Sequence, residues 1–315
     1  MERPISFLNR DGQRLFGILH APDAPLAHAK VAVNLLNAGL KGRVAPNRIS
    51  VRIARALCAR GFPVLRFDAH GVGDSEGELT GVNELNMDVW GMIQRGALVA
   101  DTLAANDVLA RETGKDRIVV FGQCGGAVTA ALAAAADGRV RAAVLVDLPV
   151  RLVSSSIDMT DLWMDIHPPG EMVKEYLRKA ADPRAWMKLL RLQSNFTGLR
   201  KVVFRGLGAG RRKGLRGGAA GHPVSDRFLW SLKDACDSFL ARKGLLSFVF
   251  AENDFSVKEF RQDLLPFLDG GGRGLPRGVS LHVIKDANHI YTEEAWQAEL
   301  FGRINAFFDA PGIGQ

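Results

Sequence analysis

The sequence is poor in cysteine and has no long hydrophobic run, and both absences limit what the protein can be. Its 315 residues include only 3 cysteines, Cys58, Cys124 and Cys236. An odd number of widely spaced cysteines argues against a disulfide framework and against a structural zinc site. No segment approaches the roughly 18 apolar residues of a membrane-spanning helix, and residues 1–20 lack the pattern of a signal peptide. These absences predict a cytoplasmic protein without a membrane span.

Basic residues outnumber acidic ones, but the excess is confined to one segment. The chain has 41 Lys and Arg against 34 Asp and Glu, a net charge of +7. The Gly-rich segment 198–221 carries seven of the basic residues and no acidic one, so the rest of the chain is neutral. No recognised nucleic-acid-binding module accompanies this charge, so nucleic acid is not an expected partner. We interpret the segment as a flexible basic loop.

Short apolar segments alternate with helical patterns along most of the chain. A hairpin is predicted around Asp11-Gly12, a tight-turn signal. The alternation predicts a mostly parallel α/β sheet with a first core part at 1–147 and a second at 244–315. Segment 148–243 breaks the pattern and is predicted to be a largely helical lid inserted between them. Predicted strands are 31–36, 62–67, 117–121, 140–146, 245–250 and 279–284; predicted helices are 46–60, 84–112, 125–136, 257–268 and 293–308.

The sharpest motif is Gly122-Gln123-Cys124-Gly125-Gly126, between a predicted strand and a predicted helix. G-x-C-x-G in this context has the form of a nucleophile elbow, in which the central residue sits in a strained turn. Side chains at Gly122 and Gly126 would collide with the turn, and the start of the helix favours a thiolate at Cys124. The alternative interpretation is a buried, unreactive cysteine in a Gly-rich turn.

Two further residues follow Cys124 in the order that an elbow enzyme requires, acid and then histidine. Asp254 comes after the strand at 245–250 and His289 after the strand at 279–284. His289 would act as the base, and Asp254 would orient its ring. Other carboxyl groups compete for the role of the acid: Asp147, Glu252 and Asp286.

An acyl-transfer site also needs two backbone N–H groups that face the developing negative charge. One is expected at Gly125, the residue after the nucleophile. The other is expected in the turn after the strand at 31–36, at Ala38, Gly39 or Leu40, and the sequence leaves open which of these donates.

A second motif, residues 62–77, carries a family resemblance. Its Asp68-Ala69-His70-Gly71-Val72-Gly73-Asp74-Ser75 is similar to the D-x-R-G-x-G-x-S that follows a strand in the α/β-hydrolase superfamily, with His70 where Arg is usual. With the elbow, it makes the core resemble the serine-aminopeptidase-like and exosortase-associated hydrolase branch. The resemblance implies an α/β-hydrolase fold and a structural role for His70. Cys instead of Ser departs from that branch but resembles dienelactone hydrolases, polyhydroxyalkanoate synthases and some thioesterases.

These features predict an esterase-like or thioesterase-like enzyme that works through an acyl-cysteine, without a metal or cofactor. One rival is an acyltransferase or cyclase with the same three residues, and another is a non-catalytic ligand-binding protein. The expected substrate is a small acyl compound, attached to coenzyme A or to a carrier protein. The Arg and Lys side chains of the basic segment would suit the phosphate groups of such carriers, because both residue types bind phosphates well. Lid residues expected to contact it are Trp163, Met164, Trp186, Arg211 and Arg212.

Overall fold

The computed structural model describes residues 1–23, 30–79, 87–154, 216–217, 223–310 and 313 of the chain. Within these residues an eight-stranded sheet forms the centre, and two further short strands pair in a separate ladder. The strands are β1 (Glu2–Leu8), β2 (Arg14–His20), β3 (Val31–Leu35), β4 (Val64–Phe67), β5 (Arg117–Gln123), β6 (Val140–Val146), β7 (Arg216–Gly217), β8 (Pro223–Val224), β9 (Leu245–Ala251) and β10 (Val279–Ile284).

Helices flank this sheet on both faces. A 3-10 turn at Pro46–Arg48 precedes the first helix, and a π-helical turn at Phe260–Leu264 separates the sixth helix from the seventh. The helices are α1 (Ile49–Ala59), α2 (Met87–Gln94), α3 (Val99–Thr113), α4 (Gly125–Ala136), α5 (Trp230–Ala241), α6 (Phe255–Glu259), α7 (Leu265–Leu268) and α8 (Glu294–Phe308). None of the helices in the described ranges is long and apolar enough to cross a membrane.

The strand order is β1-β2-β4-β3-β5-β6-β9-β10. The strands from β4 to β10 along this order pair in parallel, while β1 pairs antiparallel to β2 and β2 antiparallel to β4. The predicted mostly parallel sheet is therefore confirmed. The predicted bounds of β6, β10 and α4 are also correct.

One predicted helix is wrong. The pattern at 84–112 predicted a single helix, but the structure has α2 and α3 with a break between them. Gly96 lies in this break with a φ of +97°, outside the helical region. Such a backbone ends a right-handed helix, and glycine adopts it without steric cost. The break sets the direction of α2 independently of that of α3.

Apolar side chains pack in two layers, one on each face of the sheet. Along β5, Ile118 and Val120 face the layer that includes α3, α4 and α5, whereas Val119 and Phe121 face the layer with α1 and α8. Successive residues of a strand point to opposite faces, so a strand covered on both sides becomes continuously apolar. This packing buries the central strands and leaves their carboxyl ends at one edge of the sheet.

The chain leaves the first part of the core and returns to the second at neighbouring points. Arg151 and Phe228 form an antiparallel bridge, flanked by hydrogen bonds from Leu152 N to the Arg227 carbonyl (2.8 Å) and from Leu229 N to the Val150 carbonyl (2.9 Å). The boundaries 148 and 243 of the lid stay a prediction. Its predicted helices and most of the basic loop lie outside the described residues.

Candidate active site

Cys124 occupies a sharp turn between β5 and α4. Its φ of +56° and ψ of −125° are strained values for a residue with a side chain. A Cβ on Gly122 would overlap the carbonyl of Gly126, and a Cβ on Gly126 would overlap the carbonyl of Asn37. The two glycines therefore allow the turn to close, and the half-buried Cys124 lies at the carboxyl edge of the sheet.

His289 lies in the loop after β10, beside the loop after β9. Asn253 N donates to the carbonyl of Ala287 (2.9 Å), which joins the two loops. Asp254 caps α6, where its Oδ1 accepts from Ser256 N (2.7 Å). Its Oδ2 lies 2.6 Å from His289 Nδ1. The structure thus brings Asp254 and His289, predicted from their order in the sequence, into direct contact.

A second carboxylate lies on the same side of the histidine. Asp147 directly follows β6, and its Oδ2 lies 3.9 Å from His289 Nδ1. Its Oδ1 accepts from Ala251 N (2.8 Å) and from the hydroxyl of Tyr291 (3.2 Å). Nδ1 of His289 is therefore paired with Asp254 and lies farther from Asp147, whose Oδ2 has no hydrogen-bond partner within the described residues.

The electrostatics of this cluster favour a charged imidazole. Burial alone would lower the pKa of His289, but hydrogen bonds to Asp254 and Cys124 and their negative charges outweigh it and raise the pKa to about 11. Burial also opposes ionisation of Asp254, yet the hydrogen bonds from His289 and Ser256 hold its pKa below the usual range. The pKa of Asp147 is raised to about 7 by burial and then by the charge of Asp254.

The other two carboxyl groups that the sequence left open have different partners. Glu252 accepts from Asp286 N (2.9 Å), and the Asp286 carbonyl accepts from Asn253 (2.8 Å). Both side chains are exposed. They tie the loops after β9 and β10 together at the surface, and no hydrogen bond or ion pair joins them to His289 within the described residues.

The turn after β3 packs directly on the start of α4. A Cβ built on Gly125 would lie 3.1 Å from the Cα of Gly39, so these backbones touch. No hydrogen bond within the described residues uses the N–H groups of Ala38, Gly39 or Gly125. An oxyanion site needs free N–H groups next to the nucleophile, and the contact between this turn and the residue after Cys124 supplies candidates.

Two buried polar residues that the sequence analysis did not assign to the site hold this turn. Asn37 donates to the carbonyl of Lys41 (3.0 Å) and to Asp68 Oδ1 (3.2 Å), and its own oxygen accepts from Ala69 N (2.9 Å). Asp68 also accepts from Arg43 and from Asp74 N. Asp68 opens the motif at 68–75, which gives that motif a physical role in shaping the turn.

The aromatic ring of Trp90, on α2, covers the same turn. A Cβ on Gly39 would come within 2.6 Å of the indole, and a Cβ on Gly125 within 3.2 Å. Trp90 is half-buried. The sequence did not predict this contact of Trp90. It predicted one continuous helix at 84–112, and such a helix would not point α2 towards the turn after β3.

The remaining candidates lie elsewhere. His70 Nδ1 is 2.7 Å from Asp101, which also accepts from Asn9 (2.8 Å), so Asp101 on α3 holds both the loop after β4 and the first hairpin. The predicted substrate-contacting residues lie outside the described residues: Trp163, Met164, Trp186, Arg211 and Arg212.

A metal ion is the other species that this carboxylate–imidazole cluster could attract. Ligand atoms of Asp147, Asp254 and His289 lie within 4.8 Å of one another. However, hydrogen bonds from Ala251, Tyr291 and Ser256 already use one oxygen of each carboxylate. The contact of His289 with Cys124 and Asp254 fits the handling of a proton.

The strand order, the elbow after β5 and the acid and histidine loops after β9 and β10 define an α/β-hydrolase fold. Solved structures share this fold at low sequence identity. An esterase of Pyrococcus furiosus is 16% identical, with a TM-score of 0.57 over 98% of this chain and 90% of that one. A proline iminopeptidase of Mycobacterium smegmatis is 17% identical, with a TM-score of 0.55 over 96% of this chain and 98% of that one.

Sequence comparison identifies the family. The model of the "Alpha/beta hydrolase family" matches residues 43–303, so the chain belongs to that family. No curated protein matches the chain. The predicted fold class and the superfamily resemblance are confirmed, while the narrower branch stays a prediction.

Proposed function

We propose that the protein is a hydrolase of acyl esters or thioesters that works through an acyl-Cys124 intermediate. One observation carries the proposal: Cys124, in the strained turn of the elbow, is hydrogen-bonded to a histidine that also contacts a buried carboxylate. Nucleophile, base and orienting acid within reach of one another are the signature of covalent acyl transfer.

The chemistry proceeds in two halves. Cys124 passes its thiol proton to His289 and its sulfur attacks the acyl carbon, and the oxyanion that forms is stabilised by N–H groups of Gly125 and the turn at 38–39. The carbon–sulfur or carbon–oxygen bond of the substrate then breaks, and His289 gives this proton to the leaving group. His289 next deprotonates a water molecule that attacks the acyl carbon, the bond to the Cys124 sulfur breaks, the acid leaves, and the proton on His289 returns to the sulfur. Because Nδ1 faces the carboxylates, Nε2 exchanges these protons.

Cysteine in this position favours thioester donors. Exchange of one thioester for another costs little free energy, so the acyl group passes easily from a donor thiol to Cys124. The seven basic residues at 198–221 would suit a donor that carries phosphate, such as coenzyme A or a carrier with phosphopantetheine. Neutralising Arg211, Arg212, Lys213 and Arg216 together should raise KM for coenzyme A thioesters and spare nitrophenyl esters. An equal effect on both donors would remove this part of the proposal.

Intact-mass analysis after mixing with acyl thioesters tests the nucleophile. An acyl adduct should appear on the wild type and on Cys58→Ser, a control at a half-exposed cysteine, and should be absent from Cys124→Ala. His289→Gln should slow its formation about a thousandfold or more. An adduct that persists in Cys124→Ala would contradict the proposal.

The same experiment separates the rivals. If adduct decay in water is slow and an added amine or alcohol accelerates it, the protein is an acyltransferase on the same residues. If Cys124 forms no adduct and iodoacetamide alkylates it no faster than a free thiol, the non-catalytic binding protein is the correct interpretation.

A further inference from the structure

Asp147 and Asp254 approach His289 from the ends of two adjacent parallel strands, β6 and β9. Asp147 is completely buried and has a φ of +48°, a strained value. This conformation points its carboxylate back over the sheet edge, where Oδ1 is held by Ala251 N and by the Tyr291 hydroxyl. A single orienting acid would not require the second strained, buried carboxylate.

Asp147 Oδ2 is buried and has no hydrogen-bond partner within the described residues. It lies 3.9 Å from His289 Nδ1, whose nearest carboxylate oxygen is Asp254 Oδ2 at 2.6 Å. Buried polar groups without partners are rare and costly, so this oxygen needs an explanation. A small rotation of the imidazole would bring the Nδ1 proton between Asp254 and Asp147.

We propose that Asp147 is a positioning residue for His289. When the ring is an imidazolium, Oδ2 of Asp147 accepts a hydrogen bond from Nδ1–H and shares it with Asp254. The inference rests on the proposed function, because the imidazolium is the form of His289 that has taken the proton of Cys124. No bond other than hydrogen bonds changes in this step, and the proton stays on Nδ1.

The charges around Asp147 make its ionisation depend on the histidine. The titratable groups that face it are Asp254, His289 and Tyr291. Burial and the charge of Asp254 oppose its ionisation, whereas an imidazolium favours it. The raised pKa of His289 keeps its ring charged at neutral pH, so Asp147, with a pKa of about 7, becomes an anion beside an imidazolium. Two carboxylates then surround one imidazolium.

Histidine-labelled NMR titration tests the pairing, with the His289 ring signal identified by its loss in His289→Gln. In the wild type this signal should show an inflection near pH 7 from Asp147, in addition to its own titration. Asp147→Asn, which keeps the Oδ1 acceptor, should lose the inflection. It should also alkylate at Cys124 about tenfold more slowly at pH 8.5, with no change at pH 5.5.

Tyr291→Phe keeps the inference open to test even if Asp147→Asn does not fold. Tyr291 lowers the pKa of Asp147 by its hydrogen bond, so its removal should move the inflection to higher pH. An inflection that is unchanged in both variants would overturn the inference and leave Asp147 a purely structural residue. A different result would count against the proposed function alone: the inflection of the His289 signal changes in the variants as expected, but wild-type Cys124 is alkylated no faster than a free thiol.

Discussion

The side-chain amide of Gln123 donates a 2.7 Å hydrogen bond to the backbone carbonyl of His289. Gln123 is the last residue of β5 and directly precedes Cys124, so one short contact joins the chain beside the nucleophile to the chain that carries the base. The distance between Cys124 and His289 therefore depends on a side chain that takes no part in the reaction.

Gln123→Leu should lower kcat by about fivefold, because loss of one hydrogen bond of about 1 kcal/mol loosens the histidine loop. Steady-state kinetics with a nitrophenyl ester measures this. Gln297→Leu is the matched control, since Gln297 donates to the Tyr291 carbonyl in the same loop (2.7 Å). It should cost similar stability with little change in kcat. Equal kcat losses in both variants would mean that Gln123 only stabilises the loop.

Gly126→Ala should destabilise the protein by about 3 kcal/mol or more, because the new methyl group overlaps the Asn37 carbonyl. Urea unfolding measures this. Gly302→Ala, in α8 with open space around the Cα, should instead stabilise by up to about 1 kcal/mol. A soluble, normally stable Gly126→Ala variant would show that the elbow tolerates a wider turn.

The sequence predicted those parts of the site that local sterics and strand order determine. Only glycine fits at positions 122 and 126, and parallel strands place Asp254 and His289 at one edge of the sheet. It did not predict that Asp147 and Asp254 lie on the same side of the ring, because that depends on the register of β6 with β9 and on the φ of Asp147. Trp90 was missed for a similar reason, the break at Gly96.

Trp90→Ala should change which acyl groups fit beside Gly39 and Gly125. Removing the indole opens space over the turn, so kcat/KM for long-chain thioesters relative to acetyl thioester should rise about tenfold. We expect a stability loss of about 2 kcal/mol for this half-buried ring. Trp230→Ala is the control, because Trp230 is exposed and packs on Phe228 and Phe267. An unchanged chain-length preference in Trp90→Ala would place the acyl pocket elsewhere.

Arg151→Met should cost about 3–5 kcal/mol, because it leaves Asp263 buried without its 2.6 Å ion-pair partner. Arg303→Met, which removes a 3.1 Å pair between half-exposed side chains on α8, should cost less than about 0.5 kcal/mol. Denaturant midpoints measure both. Replacing Arg151 and Asp263 together by apolar residues should recover part of the loss; no recovery would show that Arg151 acts through other contacts.

The bridge between Arg151 and Phe228 has a further meaning for how this chain can change over evolution. Strands paired in this way lie about 5 Å apart, so a turn of about two to five residues would reconnect them. Such a turn would carry the chain directly from Val150 to Leu229, so β6 would stay connected to α5 and β9 without the residues between them. Insertions of different length can therefore arise at this place over evolution without a change in the strand order of the sheet.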